Sequence, residues 1–137
     1  MKNNSVRRTD LLSTGDMARF VARGFLRFDG LIPDEINRDF LERVMQDDVR
    51  SHPPGTPLAD CYATCPPISA LLQLPKVAGM IQSLVGLNPL FDHHAVHHCP
   101  PHQARAQDTH ADSIVDVRST AFDIQLMYYP HEVTASM

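Results

Sequence analysis

At 137 residues the chain has room for one domain with a real core and too little for two. Its composition, 43% hydrophobic and 20% charged, is that of a folded globular protein rather than a disordered one. A formal net charge of -4, with no dense cationic cluster beyond Arg7-Arg8, argues against nucleic acid as a partner. Apolar runs of a few residues argue against a membrane helix, and the polar first ten residues lack the apolar stretch of a secretory signal, so a cytoplasmic address is expected.

Residues 13–23 predict a helix. Ser13 or Thr14 can cap it, Asp16 suits its first turn, Met17, Phe20 and Val21 form an apolar stripe, and Gly24 stops it. Residues 25–28 read as a short strand turned at Asp29-Gly30. A second helix is expected to open at Pro33, with Asp34 and Glu35 complementing its dipole and Ile36, Phe40, Leu41 and Val44 on one face, and to end near Asp48. Prolines 53, 54, 57, 66 and 67 predict an irregular loop over 51–67, either bordering a cleft or serving as a plain surface connection. Two short helices follow at 68–74 and 75–85, the second with Val77, Met80, Ile81 and Leu84 inward and Gly86 as its stop. After residue 88 the pattern changes to strands, at 90–98 and at 122–129, where β-branched and aromatic residues gather.

An odd number of cysteines, Cys61, Cys65 and Cys99, without an export signal argues against a disulfide framework and for free thiols. Cys61 and Cys65 fall within zinc-ligand spacing and a histidine-rich stretch follows, so a zinc-stabilised interaction domain is one reading; no second close-set pair supports it. In residues 90–98, His93 and His97 share one face of a strand while His94 and His98 share the other, so no single face collects all four imidazoles.

The chemistry-bearing pattern is His110-Ala111-Asp112. On an extended strand, residues i and i+2 point to the same side, so this imidazole and this carboxylate can reach one ion together. Two histidines and one carboxylate on one face of Fe(II) leave three positions open for a chelating co-substrate and dioxygen, and His110 and Asp112 amount to two thirds of such a set. Asp108 and Asp116 are candidates to hold these ligands in place, or solvated loop charges.

Several phrases in order carry a family resemblance: Gly24-Phe25-Leu26 with Phe28-Asp29-Gly30-Leu31-Ile32, an amphipathic helix, Leu74-Pro75-Lys76-Val77, Leu84-Val85-Gly86-Leu87-Asn88, Pro100-Pro101 and Asp108-Thr109-His110-Ala111-Asp112. Over nearly its whole length the chain resembles the N-terminal half of the phytanoyl-CoA dioxygenase family. The resemblance implies an α+β fold in which N-terminal helices, about residues 1–88, precede the first strands of a double-stranded β-helix, a cupin-like jelly roll, over 89–137. It also implies hydroxylation of a small organic substrate with Fe(II) and 2-oxoglutarate, with His110 and Asp112 as iron ligands. Members of the family set an aromatic side chain of the strand after the motif against 2-oxoglutarate; Tyr128 matches by spacing, a one-residue change of register would give Met127 that role, and Tyr128 as a plain core aromatic is the competing reading.

The chain departs from the family downstream. The distal His and the Arg that pairs with 2-oxoglutarate have no counterpart before Met137, and His131, just after Pro130, stands where the family has no ligand. The jelly roll would be incomplete, with an exposed sheet edge that invites self-association. A truncated or partial enzyme, inactive alone, is therefore expected. A non-catalytic cupin-like binding module and the zinc-stabilised domain are the alternatives.

Overall fold

The computed structural model describes residues 6–45, 52–62, 65–92 and 123–133. Four α-helices order these residues: α1 (Thr14–Arg23), α2 (Asp34–Met45), α3 (Pro66–Gln73) and α4 (Pro75–Val85), with a single 3-10 turn at Leu58–Asp60. The only strand-like pairing among the described residues is one isolated antiparallel bridge between Pro57 and Leu90. The described molecule is therefore helical, and the expected α+β architecture with jelly-roll strands is corrected.

The helix ends follow local chemistry. Ser13 caps α1 reciprocally: its hydroxyl accepts the Asp16 N–H at 3.1 Å while the Asp16 carboxylate accepts the Ser13 N–H at 3.0 Å, satisfying two amides that the helix cannot. Gly24 ends it with φ 78°, a left-handed conformation open to glycine, and donates its N–H to the Phe20 carbonyl at 2.8 Å. Pro66 and Pro67, expected to prolong the loop, instead open α3, because first-turn amides have no intrahelical partner and a proline there removes nothing. Leu74 then serves as the last cap of α3 and the first of α4, with Pro75 restarting the helix after a bend of 69°.

The core gathers on α4. Leu12, Leu71, Val77, Met80 and Ile81 form its buried centre, and α1, α2, the 26–32 connection and Tyr128 pack around it. Val77 is 2% exposed. The chain before α1 is bound to α4 by polar contacts as well: the Leu12 N–H donates to Ser83 Oγ at 3.0 Å, and the Lys76 ammonium donates to the Leu11 carbonyl at 3.3 Å. Gly79 makes this approach feasible. A Cβ there would lie 2.2 Å from the Asp10 carbonyl oxygen, so the backbone of α4 touches the N-terminal segment where no side chain fits. Of the apolar stripe expected on α1, Met17 packs against the core while Val21 is 83% exposed.

Both predicted strands that fall on described residues lack ladders. Residues 25–28 run as irregular chain, with Phe25 and Phe28 exposed and Leu26 packed on the core. Residues 123–129 have no regular structure either, and Leu126, Met127 and Tyr129 are exposed. Apolar alternation supplies one face of a strand but not the neighbour that must take up its amides and carbonyls, and among the described residues neither run has one. Of the predicted strand at 90–98, Leu90 makes the bridge to Pro57, and residues 93–98 lie outside the described residues.

Candidate functional site

His110 and Asp112, the expected iron ligands, lie outside the described residues, as do Asp108, Asp116, Cys99 and His93, His94, His97 and His98. The structure places Tyr128, Met127, His131, Cys61 and Cys65 among the residues that sequence singled out. They fall into two groups.

The first is built on α2. Tyr128 donates its hydroxyl to Asn37 Oδ1 at 2.6 Å, and its ring meets Phe40 edge to face with centroids 5.1 Å apart. Asn37 and Phe40 are three residues apart on one helix and so share a face, which is why one tyrosine engages both. The Asn37 side-chain amide reaches back to the Ile32 carbonyl at 3.4 Å, orienting its oxygen outward. Burial pushes the Tyr128 phenol up to about 12. Met127, the alternative to Tyr128 in the predicted register, is 64% exposed, and His131 is exposed as well. Tyr128 thus fastens residues 123–133 to the helical body, with its hydroxyl hydrogen committed to Asn37.

The second group lies beside α3. Cys61, Tyr62, Cys65 and Phe91 form a buried cluster, with both thiols free. His52 completes it: its Nε2 accepts the Tyr62 N–H at 2.8 Å, and its ring stands edge to face on Tyr62 at 4.6 Å and Phe91 at 5.7 Å. Accepting that hydrogen bond leaves Nε2 without a proton, so the neutral ring carries it on Nδ1. Tyr62 takes φ 60°, a left-handed conformation rare for an aromatic residue, and the turn is closed by the Cys65 N–H on the Tyr62 carbonyl at 2.9 Å. Burial raises the Tyr62 phenol to about 12, and burial followed by the neighbouring Asp60 charge raises the Cys61 thiol. A thiol so raised, as at Cys61, is a poor nucleophile. Among the described residues, no three His, Cys, Asp or Glu side chains converge as metal ligands would.

Sequence reading missed Asn37, His52 and Gly79. Asn37 carried a weak signal, since it shares the helix face of Phe40. His52 carried none, because its partners are ten and thirty-nine residues away. Compared with protein-family models, curated proteins and solved structures, the chain shows no significant match.

Proposed function

We propose that this chain supplies two of the three protein ligands, His110 and Asp112, of an Fe(II)- and 2-oxoglutarate-dependent dioxygenase that hydroxylates a small organic molecule. One observation carries the reading: an imidazole and a carboxylate two residues apart, preceded in order by the phrases through which the chain resembles the phytanoyl-CoA dioxygenase family. The donor set suits the metal. A neutral imidazole and a hard carboxylate oxygen together accommodate Fe(II), whereas the two buried thiols of Cys61 and Cys65 would favour softer ions.

Held by His110 and Asp112, an iron ion would supply the activation of dioxygen coupled to 2-oxoglutarate. The protein's own part is to present His110 as a neutral imidazole, to keep Asp112 ionised and to exclude water from the reacting atoms. A third ligand and a cationic partner for 2-oxoglutarate complete the activity, and the reading draws neither from residues 113–137. Tyr128 is assigned a mechanical role here, since its hydroxyl is held by Asn37.

The test is 2-oxoglutarate binding by calorimetry under anaerobic conditions, with and without Fe(II). Binding that needs the metal and disappears in His110→Ala supports the proposal. Metal-independent binding, or none at millimolar 2-oxoglutarate with Fe(II) present, contradicts it. Succinate formation by the isolated chain would show that the third ligand lies within these 137 residues.

A further inference from the structure

A solvent-open cavity of about 520 Å³ lies between the chain preceding α1 and the start of α4. Its size is that of small-molecule clefts. Around it stand Arg8 and Lys76, the hydroxyl side chains Thr9, Ser13 and Thr14, and one carboxylate, Asp16.

The charges here do not cancel. Asp16 is engaged by the Ser13 amide and hydroxyl and by the Arg19 guanidinium, so its negative charge is already matched. The nearby Asp10 is buried and answered first by the Arg7 amide at 2.9 Å and then by the Arg7 guanidinium at 3.3 Å. Arg8 has no hydrogen-bond or ion-pair partner among the described residues, and Lys76 spends one of its three hydrogens on the Leu11 carbonyl. The Thr9 and Thr14 hydroxyls are likewise unengaged among the described residues, whereas Ser13 is consumed by its cap. An acidic protein therefore holds, at one concavity, an arginine and two hydroxyls that find no partner among the described residues, beside a lysine that spends one hydrogen on the Leu11 carbonyl and also faces Asp10. The helix end contributes little, because Asp16 already closes it.

We propose that this cavity binds a small molecule through its phosphate group, with Arg8 as a forked donor, Lys76 as a point charge, and Thr9 and Thr14 as additional donors. The site is built from residues 8–16 and 76 and does not depend on the iron reading.

Titration of the full chain with inorganic phosphate, followed by backbone amide NMR and thermal unfolding, tests it, with sodium chloride at matched ionic strength as the control. The expected result is saturable shifts at Thr9, Thr14 and Lys76 and a midpoint raised by about 2–4 °C at saturation, since a ligand that binds only the folded state stabilises it. Both responses should vanish in Arg8→Gln/Lys76→Gln. Should that double variant fail to fold, Arg8→Gln alone, at an exposed side chain with no partner among the described residues, should weaken phosphate binding at least fivefold. Absence of a saturable response, an equal response to chloride, or undiminished binding in the variants would overturn the proposal.

Discussion

Helix α4 and residues 123–129 are both rich in apolar side chains, yet one is the centre of the molecule and the other lies mostly exposed on its surface. Helix α4 satisfies its own amides and carbonyls, so its apolar stripe needs only a surface to meet; Val77, Met80 and Ile81 meet α3, the chain before α1, and the side chains around them. Residues 123–129 cannot satisfy their backbone internally. Among the described residues they have no ladder partner, and the Tyr128 ring is their main anchor. Hydrophobic pattern is sufficient evidence for a helix and insufficient for a strand.

Substitutions should separate the two regions sharply. The largest effect is expected at Gly79→Ala, where the added Cβ would collide with the Asp10 carbonyl; backbone on both sides leaves little room to yield, and a loss of about 3 kcal/mol or more in urea unfolding is expected. Met80→Ala, which empties a buried site in the same helix, should cost about 2–4 kcal/mol. Leu126→Ala, at a side chain 47% exposed, should stay within about 0.5 kcal/mol of the parent. A Leu126 effect as large as that at Met80 would break the contrast and show that residues 123–129 belong to a packed element.

Tyr128→Phe sharpens the comparison further. It deletes one hydroxyl and leaves Asn37 Oδ1 without its donor, for a loss of about 1 kcal/mol, while Tyr128→Ala also removes the ring from Phe40 and should cost more. Proteolysis at residues 123–133 should accelerate in both variants before the helical body unfolds, which would show that this latch opens on its own.

The pH dependence is the most distributed effect. Asp10 and Asp16 are held below the ordinary 3.8 by hydrogen bonds, chiefly from the Arg7 amide to Asp10 and the Ser13 hydroxyl to Asp16. A carboxyl that binds its proton more weakly when folded lends stability above the unfolded value and loses it as pH falls through the lower folded one. Stability should therefore drop below about pH 4, and Asp10→Asn should flatten that limb. Tyr62 and Tyr128, raised from 10.0 to about 12, act in the opposite range: they bind their protons more tightly when folded, so their contribution is complete below pH 10 and is lost as pH rises toward 12. Tyr128→Phe should reduce the alkaline loss.

What could be read from the sequence follows the same physical division. The cap of α1 at Ser13 or Thr14, which the structure assigns to Ser13, its stop at Gly24 and both ends of α4 were legible because each depends on residues within one turn. Pro66 and Pro67 were read as breakers because proline's two roles, forbidding a helix interior and favouring a helix start, look alike until the downstream helix is placed. The strands expected at 25–28 and over the described residues 123–129 are absent because a partner strand is a long-range fact. The same holds for the Asn37–Tyr128 bond, which spans 91 residues, and for the close approach of Gly79 to Asp10. Of the candidate site, the proposed pairing of His110 and Asp112 rests on their spacing alone and lies outside the described residues, whereas the clustering of His52 with Cys61 and Cys65 left no local trace in the sequence.

The central functional claim is that His110 and Asp112 hold iron and the buried cysteines do not. Anaerobic Fe(II) titration by calorimetry tests it most directly, comparing the parent chain with His110→Ala, Asp112→Ala and Cys61→Ser. The account predicts that either of the first two weakens Fe(II) binding at least tenfold and that Cys61→Ser leaves it unchanged. Unaltered binding in His110→Ala and Asp112→Ala, or binding lost in Cys61→Ser, would contradict it.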